Sequence, residues 1–497
     1  MRRLFALGTL SVAAALVVSQ GAPGLQVKGG IVQRQVQMAK FGVKLDVLRV
    51  DSFKAQFGAN PEIPRSSQAI RALSHKLFTP QGRDTINDEC GEYEFGLLFA
   101  ALRNPEVSDA DRDAVDGDAD GGIPSLPKTY TSGHFKFYYT DNNSNSDHNS
   151  SLANIQATAV ILNNAWNNFV ANFKKPKHYV SAGKQLIDVK CYYLGSSLYG
   201  QTNSSWNHMD LCSKKVIKDP CKRQTTPVHE LFHRTQYAYG YVTGTAGMKW
   251  AVEATASWSQ KHMASNVGDW MNRMNSGLGD PDKALTSRSY DACHWWTYLG
   301  QRGGSEKNTI RDCWQTYSTN GKNMVNAVKS VIKSRIGSQY DLNHVAGWWN
   351  FTNFYKDMTN AASNFDYSED ETTKVCGGIT YGPLATVPRT TQTLSAGVTK
   401  SNSGSVAAYG ADYYVYNLPA SAKKFEVNTT ASSNNFGYAV IYLKNNTRVH
   451  YSRTAAGGNK NWSTSYSFAA GAVNKVCVVV IGNPNGGSYT VNAKASS

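Results

Sequence analysis

Two histidines and two glutamates stand out in the 497-residue chain for their types and spacing. The segment Thr225-Thr226-Pro227-Val228-His229-Glu230-Leu231-Phe232-His233-Arg234 sets His229 and His233 four residues apart. On an α-helix that is one turn, so both imidazoles share a face and can hold one metal ion. Glu230 comes directly after the first of them, where a carboxylate can take a proton from a metal-bound water. Leu231 and Phe232 point away and are expected in the core. Thr226 is expected to cap this helix, with Pro227 in its first turn.

Two histidines leave zinc short of a third protein ligand. A third histidine at the extended HExxHxxGxxH spacing is absent, because Gln236 and Tyr239 occupy the glycine and histidine places. An aspartate after Gly244-Thr245 is absent too, since the next residues are Ala246, Gly247 and Met248. The candidate lies further on, in Trp250-Ala251-Val252-Glu253-Ala254-Thr255-Ala256-Ser257-Trp258, where Glu253 stands twenty residues after His233. That distance accommodates a loop and a second helix running back beside the first. The result is a His2Glu set with one position left open for water.

Other groups offer chemistry of their own. Asp116, Asp118 and Asp120 alternate ahead of Gly121, and such oxygens can wrap a hard cation such as Ca²⁺. Pro127 stands where a full calcium loop of this kind ends in Glu, so a solvated acidic linker is the equal alternative. Eight cysteines occur, at 90, 191, 212, 221, 293, 313, 376 and 477, with no CxxC pair. In an exported protein an even count suggests up to four disulfides, and Cys212 with Cys221 is the expected local pair.

The elements that must position these groups can be read from periodicity. His134 to Thr140 alternate as a strand. Ile155, Ala159, Leu162, Trp166, Phe169 and Phe173 recur at helical spacing over residues 152–173. Residues 186–194 read as another strand, and helices dominate from Pro227 to about Met358. Strands and then helices make an α+β domain. From about residue 391, short strands separated by Gly, Asn and Ser turns make a small antiparallel β-sandwich.

Composition bounds the rest. Hydrophobic residues are 41% and charged residues 18% of the chain, which excludes disorder and a collagen-like fibre. Arg2 and Arg3 ahead of an apolar run from Leu4 to Val18 read as a secretory signal over residues 1–22. No later stretch is long and apolar enough for a membrane span. The net charge of +15 is unevenly spread. Residues 23–127 are net −3, residues 128–390 net +9 and residues 391–497 net +7. This suits an anionic surface or substrate outside the cell, whereas no basic helix or known module supports nucleic acid.

The HELFHRTQ and WAVEATASW segments resemble the gluzincin group of HExxH zinc metallopeptidases, in particular secreted bacterial enzymes with an HExFHxxQ motif. The likeness extends over about residues 116–360 and includes Tyr290-Asp-Ala-Cys-His294-Trp-Trp-Thr-Tyr-Leu. The C-terminal part resembles pre-peptidase C-terminal domains. The resemblance implies a zincin-like metallopeptidase domain at 128–390 and a sandwich at 391–497. It implies zinc on His229, His233 and Glu253, with Glu230 as catalytic base. Tyr290 is the candidate donor to the oxyanion, and His294 the second. Ala254 replaces the family's glycine, and Ser257 replaces an aspartate that in thermolysin-like enzymes steadies a ligand histidine. The expected function is a secreted zinc endopeptidase acting on protein or peptide. The alternatives are a non-catalytic extracellular adhesin or polymer-binding protein, or a zinc hydrolase acting on cell-wall material. Residues 23–127 are an acidic N-terminal region or pro-segment, in which Cys90 forms a disulfide, leaves with the segment or caps the zinc.

Overall fold

The computed structural model describes residues 63–64, 66–78, 97–98, 101–102, 107, 123–178, 186–204, 207–356, 367, 373–433, 436–453, 460–482 and 484–497. The expected signal segment, Cys90 and the aspartates Asp116, Asp118 and Asp120 lie outside these residues. Among the described residues a helix, α1 (Ser67–Phe78), precedes a five-stranded sheet. Its strands are β1 (Lys128–Ser132), β2 (Phe135–Tyr139), β3 (Ile187–Tyr192), β4 (Gly200–Thr202) and β5 (His208–Cys212). They lie in the order β1-β2-β3-β5-β4, with β2, β3 and β5 parallel and β4 antiparallel at the edge.

The parallel step from β2 to β3 needs a crossover, and α2 (Leu152–Asn172) supplies it. Ser151 starts α2, its Oγ accepting the Asn154 N–H at 3.2 Å. Ile155, Ala159, Leu162, Trp166 and Phe169 face the sheet, where Trp166 meets Phe135 edge-on at 6.0 Å. The other sheet face is half-buried along β2 and β3 and covered only around the end of β3. Tyr192, Leu194, Leu198 and Val216 share a separate apolar cluster with Ile63, Ile70, Leu77, Leu98, Leu102 and Val107. Strand alternation explains the division, since Cys191 points into the main core while its neighbour Tyr192 points into this one.

Among the described residues seven α-helices come next: α3 (Lys222–Ala238), α4 (Lys249–Met263), α5 (Asp269–Gly279), α6 (Cys293–Arg302), α7 (Glu306–Thr319), α8 (Met324–Arg335) and α9 (Leu342–Tyr355). Trp250, Trp258, Trp295 and Trp296 are fully buried among them, and Trp296 donates to the Trp250 carbonyl at 2.8 Å. A hairpin, β6 (Lys374–Cys376) with β7 (Ile379–Tyr381), leads to the sandwich. Its strands are β8 (Thr390–Thr393), β9 (Thr399–Val406), β10 (Ala411–Asn417), β11 (Lys424–Ala431), β12 (Phe436–Lys444), β13 (Thr447–Arg453), β14 (Asn461–Ser467), β15 (Lys475–Gly482) and β16 (Gly487–Ser496). One sheet runs β13-β12-β15-β10-β8 and the other β14-β11-β16-β9. The first sheet also packs on α9, where Tyr413 donates to the Asn350 carbonyl at 2.8 Å. The chain is thus an α+β region that leads into an all-β unit. No described helix is long and apolar enough to cross a membrane.

Two local expectations are corrected. Helix α3 begins at Lys222, so Thr226 is not its cap and Pro227 lies inside it. Asp219 is the reason: its Oδ1 accepts the N–H groups of Cys221 at 2.7 Å and Lys222 at 3.0 Å. Pro227 therefore costs one rung of the helical ladder rather than occupying a free first turn. Cys221 does not pair with Cys212 but with Cys376, which staples the start of α3 to the β6–β7 hairpin. Among the described residues Cys191, Cys212, Cys313 and Cys477 are free and buried, and Cys293 is buried as well. Burial pushes the thiols of Cys191, Cys212, Cys313 and Cys477 up, so they stay protonated and pack as small apolar groups.

The Cys221–Cys376 bond closes a loop of sequence separation 155. Replacing both cysteines by serine is expected to lower unfolding free energy by about 2–4 kcal/mol, read as an earlier urea midpoint. An unchanged midpoint would show that the bond does not restrain the unfolded chain.

Candidate metal centre

Helices α3 and α4 pack side by side and bring the sequence-spaced residues together. His229 Nε2 lies 3.2 Å from Glu253 Oε2, and His233 Nε2 lies 3.6 Å from the same oxygen. The three potential ligand atoms all fall within 4.8 Å of one another. His229, Glu230, His233 and Glu253 are all buried. Burial holds both imidazoles in their neutral form, pushing His229 well below the usual histidine range and His233 down to about 4. Each therefore keeps a lone pair at neutral pH.

Gln236 decides where the His233 lone pair points. Its Nε2 donates to the Val252 carbonyl at 2.8 Å and to Thr255 Oγ1 at 3.0 Å. A carbonyl can only accept, so the amide NH₂ must face it and Oε1 must face His233. The contact of 2.8 Å between Gln236 Oε1 and His233 Nδ1 then requires a proton on Nδ1. A neutral ring protonated there has a bare Nε2, and that lone pair faces a carboxylate oxygen. Two electron-rich atoms held in this way fit a cation between them. The donor set of two imidazole nitrogens and one carboxylate suits zinc.

Glu230 fills the space beside the edge strand. A Cβ at Gly200 on β4 would sit 2.8 Å from Glu230 Oε1, so only glycine leaves room there. Tyr290 is brought to the same place, its ring stacked on His229 with centroids 5.7 Å apart. The turn carrying it is held by Arg288, which donates to Asp291 Oδ2 at 3.1 Å and to the Asp280 carbonyl at 2.6 Å. His294 is elsewhere: it is buried against Trp349, its Nδ1 2.5 Å from the Asp291 carbonyl. Ser257 is buried, and its Oγ has no hydrogen-bond partner among the described residues.

Sequence reasoning missed Gln236 and Thr255 as supports of His233, and Arg273, whose guanidinium carbon lies 4.6 Å from the Tyr290 ring centroid. Gln236 does carry a signal, since position i+3 from His233 lies on the same helix face.

No protein-family model matches the chain, and no curated protein matches it at a significant level. Among solved structures, the pre-peptidase C-terminal domain of collagenase from Bacillus anthracis is 17% identical over 22% of this chain and 97% of its own, with a TM-score of 0.17. PliG from Aeromonas hydrophila, a periplasmic inhibitor of g-type lysozyme, is 13% identical over 22% of this chain and 100% of its own, with a TM-score of 0.16. Legionella pneumophila aminopeptidase A, solved in complex with aspartic acid, is 8% identical over 67% of this chain and 34% of its own, with a TM-score of 0.33. At these identities and scores the likenesses carry no inference about activity.

Proposed function

We propose that the protein is a secreted zinc-dependent endopeptidase, with residues 128–390 as its catalytic part. The observation that carries this reading is the convergence of His229, His233 and Glu253 on one buried point, with Glu230 next in sequence to the first of them. His229 Nε2, His233 Nε2 and Glu253 Oε2 would hold the metal. When bound, zinc supplies a Lewis acid that acidifies a water and polarises a peptide carbonyl. Glu230 accepts the proton of that water and hands it to the leaving amine. Its burial beside Gly200 keeps bulk water from competing for that proton. Tyr290 is the proposed donor to the developing oxyanion, held at the site by its stacking on His229. The basic N-terminus ahead of an apolar run supports export, and the Cys221–Cys376 disulfide fits an oxidising compartment.

Metal analysis together with casein cleavage tests the reading. One zinc per chain and cleavage that a chelator stops and zinc restores are expected. Zinc without cleavage of casein or peptides would sink the peptidase reading. Release of cell-wall fragments in its place would assign the site to the cell-wall alternative. Calcium added back after chelation reports separately on Asp116, Asp118 and Asp120.

Gln236 has a distinct expected effect. Gln236→Leu keeps the volume but removes the acceptor for His233 Nδ1, freeing the ring to change tautomer. Zinc affinity is expected to fall by about 10–100-fold, measured by competition with a chromogenic chelator. Unchanged affinity would show that His233 is oriented without it.

A further inference from the structure

The net charge of +7 on residues 391–497 is not spread evenly over the sandwich. Strands β8, β10, β12, β14 and β16 finish at one end, where β9, β11, β13 and β15 begin. Six of the nine basic residues of this stretch stand there. Lys424 and Lys475 open β11 and β15, Lys400 lies at the start of β9, and Lys444 closes β12. Lys494 lies near the end of β16, and the Lys423 N–H donates to the Ser496 carbonyl at 2.7 Å. All six are exposed or half-buried. Arg448 begins β13 at the same end, but its guanidinium carbon is occupied over the Tyr355 ring, 5.0 Å from the centroid. Among the described residues one acidic side chain of the sandwich shares this end, Glu426, and it pairs with Lys424 at 2.7 Å. Asp412, the other carboxylate of the stretch, lies at the start of β10, at the opposite end, and accepts from Tyr489.

The turns that carry these lysines are fixed. Asn445 and Asn446 lead β12 into β13 with φ of 50° and 63°, a left-handed conformation that asparagine tolerates. The Asn445 N–H donates to Asn474 Oδ1 at 3.1 Å, and Asn474 Nδ2 donates to Asn445 Oδ1 at 2.9 Å. Lys475 Nζ donates to Asn446 Oδ1 at 3.0 Å. The turn before β11 is tied as well, since the Phe468 N–H donates to the Lys423 carbonyl at 2.8 Å. Like charges are thereby held near one another against their repulsion, and a bound polyanion relieves that cost.

The outer face of the sheet β14-β11-β16-β9 adjoins this end. Phe425, Val427, Val491 and Ala493 fill the interior, so the residues between them face outward. Register sets Ser463, Asn428, Asn492 and Ser401 in one row across the four strands. The next row towards the basic end is Ser465, Glu426, Lys494 and Thr399. Hydroxyls and amides thus border the ammonium groups. These rows hold no aromatic ring on which a base could stack and no large apolar side chain to enter a lipid surface. Lysine ammonium groups are point charges, so they suit a partner with many anionic groups rather than one forked contact. A hydroxyl-rich polymer that carries carboxylates or sulfates matches both parts of the surface.

We propose that this end of the sandwich, with the adjoining sheet face, binds an acidic polysaccharide. The lysines hold its carboxylate or sulfate groups, and the row of Ser and Asn takes its hydroxyls. The inference concerns where the protein is retained, and it stands independently of the peptidase reading.

Binding of the full chain to immobilised heparin and polygalacturonate tests it, with dextran as the uncharged control. At least one acidic polymer is expected to bind tenfold or more tighter than dextran, with a margin that shrinks as salt is raised. Which of the two binds better tells sulfate from carboxylate. Lys423→Gln/Lys444→Gln/Lys475→Gln is expected to weaken that binding about tenfold, as for three lost surface charge contacts. Lys307→Gln/Lys329→Gln/Lys333→Gln removes the same charge from α7 and α8 and is expected to change it less than twofold. Lys423→Arg/Lys444→Arg/Lys475→Arg keeps the charge and is expected to keep the binding. Melting temperature is measured for every variant, and should the first triple melt early, Lys423→Gln alone is expected to show part of its loss. Binding no tighter than to dextran, equal losses in both Gln triples, or binding that survives the loss of the sandwich lysines each overturns the proposal. Tighter binding to phosphatidylserine vesicles or to single-stranded DNA at the same salt also overturns it, by giving the surface to lipid or nucleic acid.

Discussion

Glu230→Gln is expected to lower peptide cleavage by roughly 10²–10⁴-fold, the usual span for a lost general base. Zinc content is expected to stay at one per chain, because Glu230 does not belong to the converging ligand atoms. Gln has nearly the shape of Glu, so it can fill the same space against Gly200, where any larger residue would collide. What it lacks is an oxygen able to take and return a proton. The variant also leaves one carboxylate fewer to desolvate, so the fold is expected to be no less stable than the parent. Steady-state cleavage of a quenched peptide and metal analysis on the same preparation read both quantities. Undiminished cleavage would remove Glu230 from the chemistry. Loss of zinc alongside turnover would make it a ligand instead of a base.

Glu253→Gln is expected to have the opposite signature, losing the metal first and activity as a consequence. Both histidine Nε2 atoms approach Glu253 Oε2, at 3.2 Å and 3.6 Å, so this oxygen is the hub of the set. An amide oxygen is a far weaker ligand for zinc, and the loss is expected to exceed the roughly 100-fold upper range for residues that only orient a ligand. Thermal melting gives a second readout. The parent should gain about 4 kcal/mol when zinc is present at a thousand times its dissociation constant. The variant should gain almost nothing. Without metal the order is expected to reverse or vanish, since the parent then holds a buried carboxylate against the His233 lone pair. A variant that still melts later on adding zinc would move the site away from Glu253.

The site is more legible in the sequence than the fold around it. Histidines one turn apart encode their own convergence, because helix geometry is local. Glu253 is within reach for the same reason, as a helix with a short connection must return alongside its predecessor. Helix α2 and the sandwich strands β11 and β16 also carry local periodicity. The strands β4 and β5 do not: they span 3 and 5 residues and are entirely buried, so no alternation marks them. The start of α3 is misread because Thr226-Pro227 is a good local start signal that Asp219, further upstream, overrides. The Cys221–Cys376 pairing joins residues that are remote in sequence, which spacing cannot announce. The family resemblance points to position 257 for the group that steadies a ligand histidine, yet Ser257 forms no such bond. Gln236 supplies it to His233 instead, through two contacts that only the packed helices create.

The apolar cluster that joins Ile63, Ile70, Leu77, Leu98, Leu102 and Val107 to Tyr192, Leu194, Leu198 and Val216 bears on how the chain could mature. A protease cut between residues 107 and 123 would sever the backbone but not the apolar contact. Burial of this cluster would then help to hold the severed piece, at roughly 25 cal/mol for each Å² kept from water. Before the cut its local concentration is that of a tethered ligand, in the millimolar range for a short connection. After the cut it is set by dilution. Nicked protein would therefore run as one species when concentrated and release a fragment when dilute, baring the face that carries Tyr192 to whatever apolar partner is nearby. Loss of a severed N-terminal piece would thus be governed by mass action as much as by proteolysis.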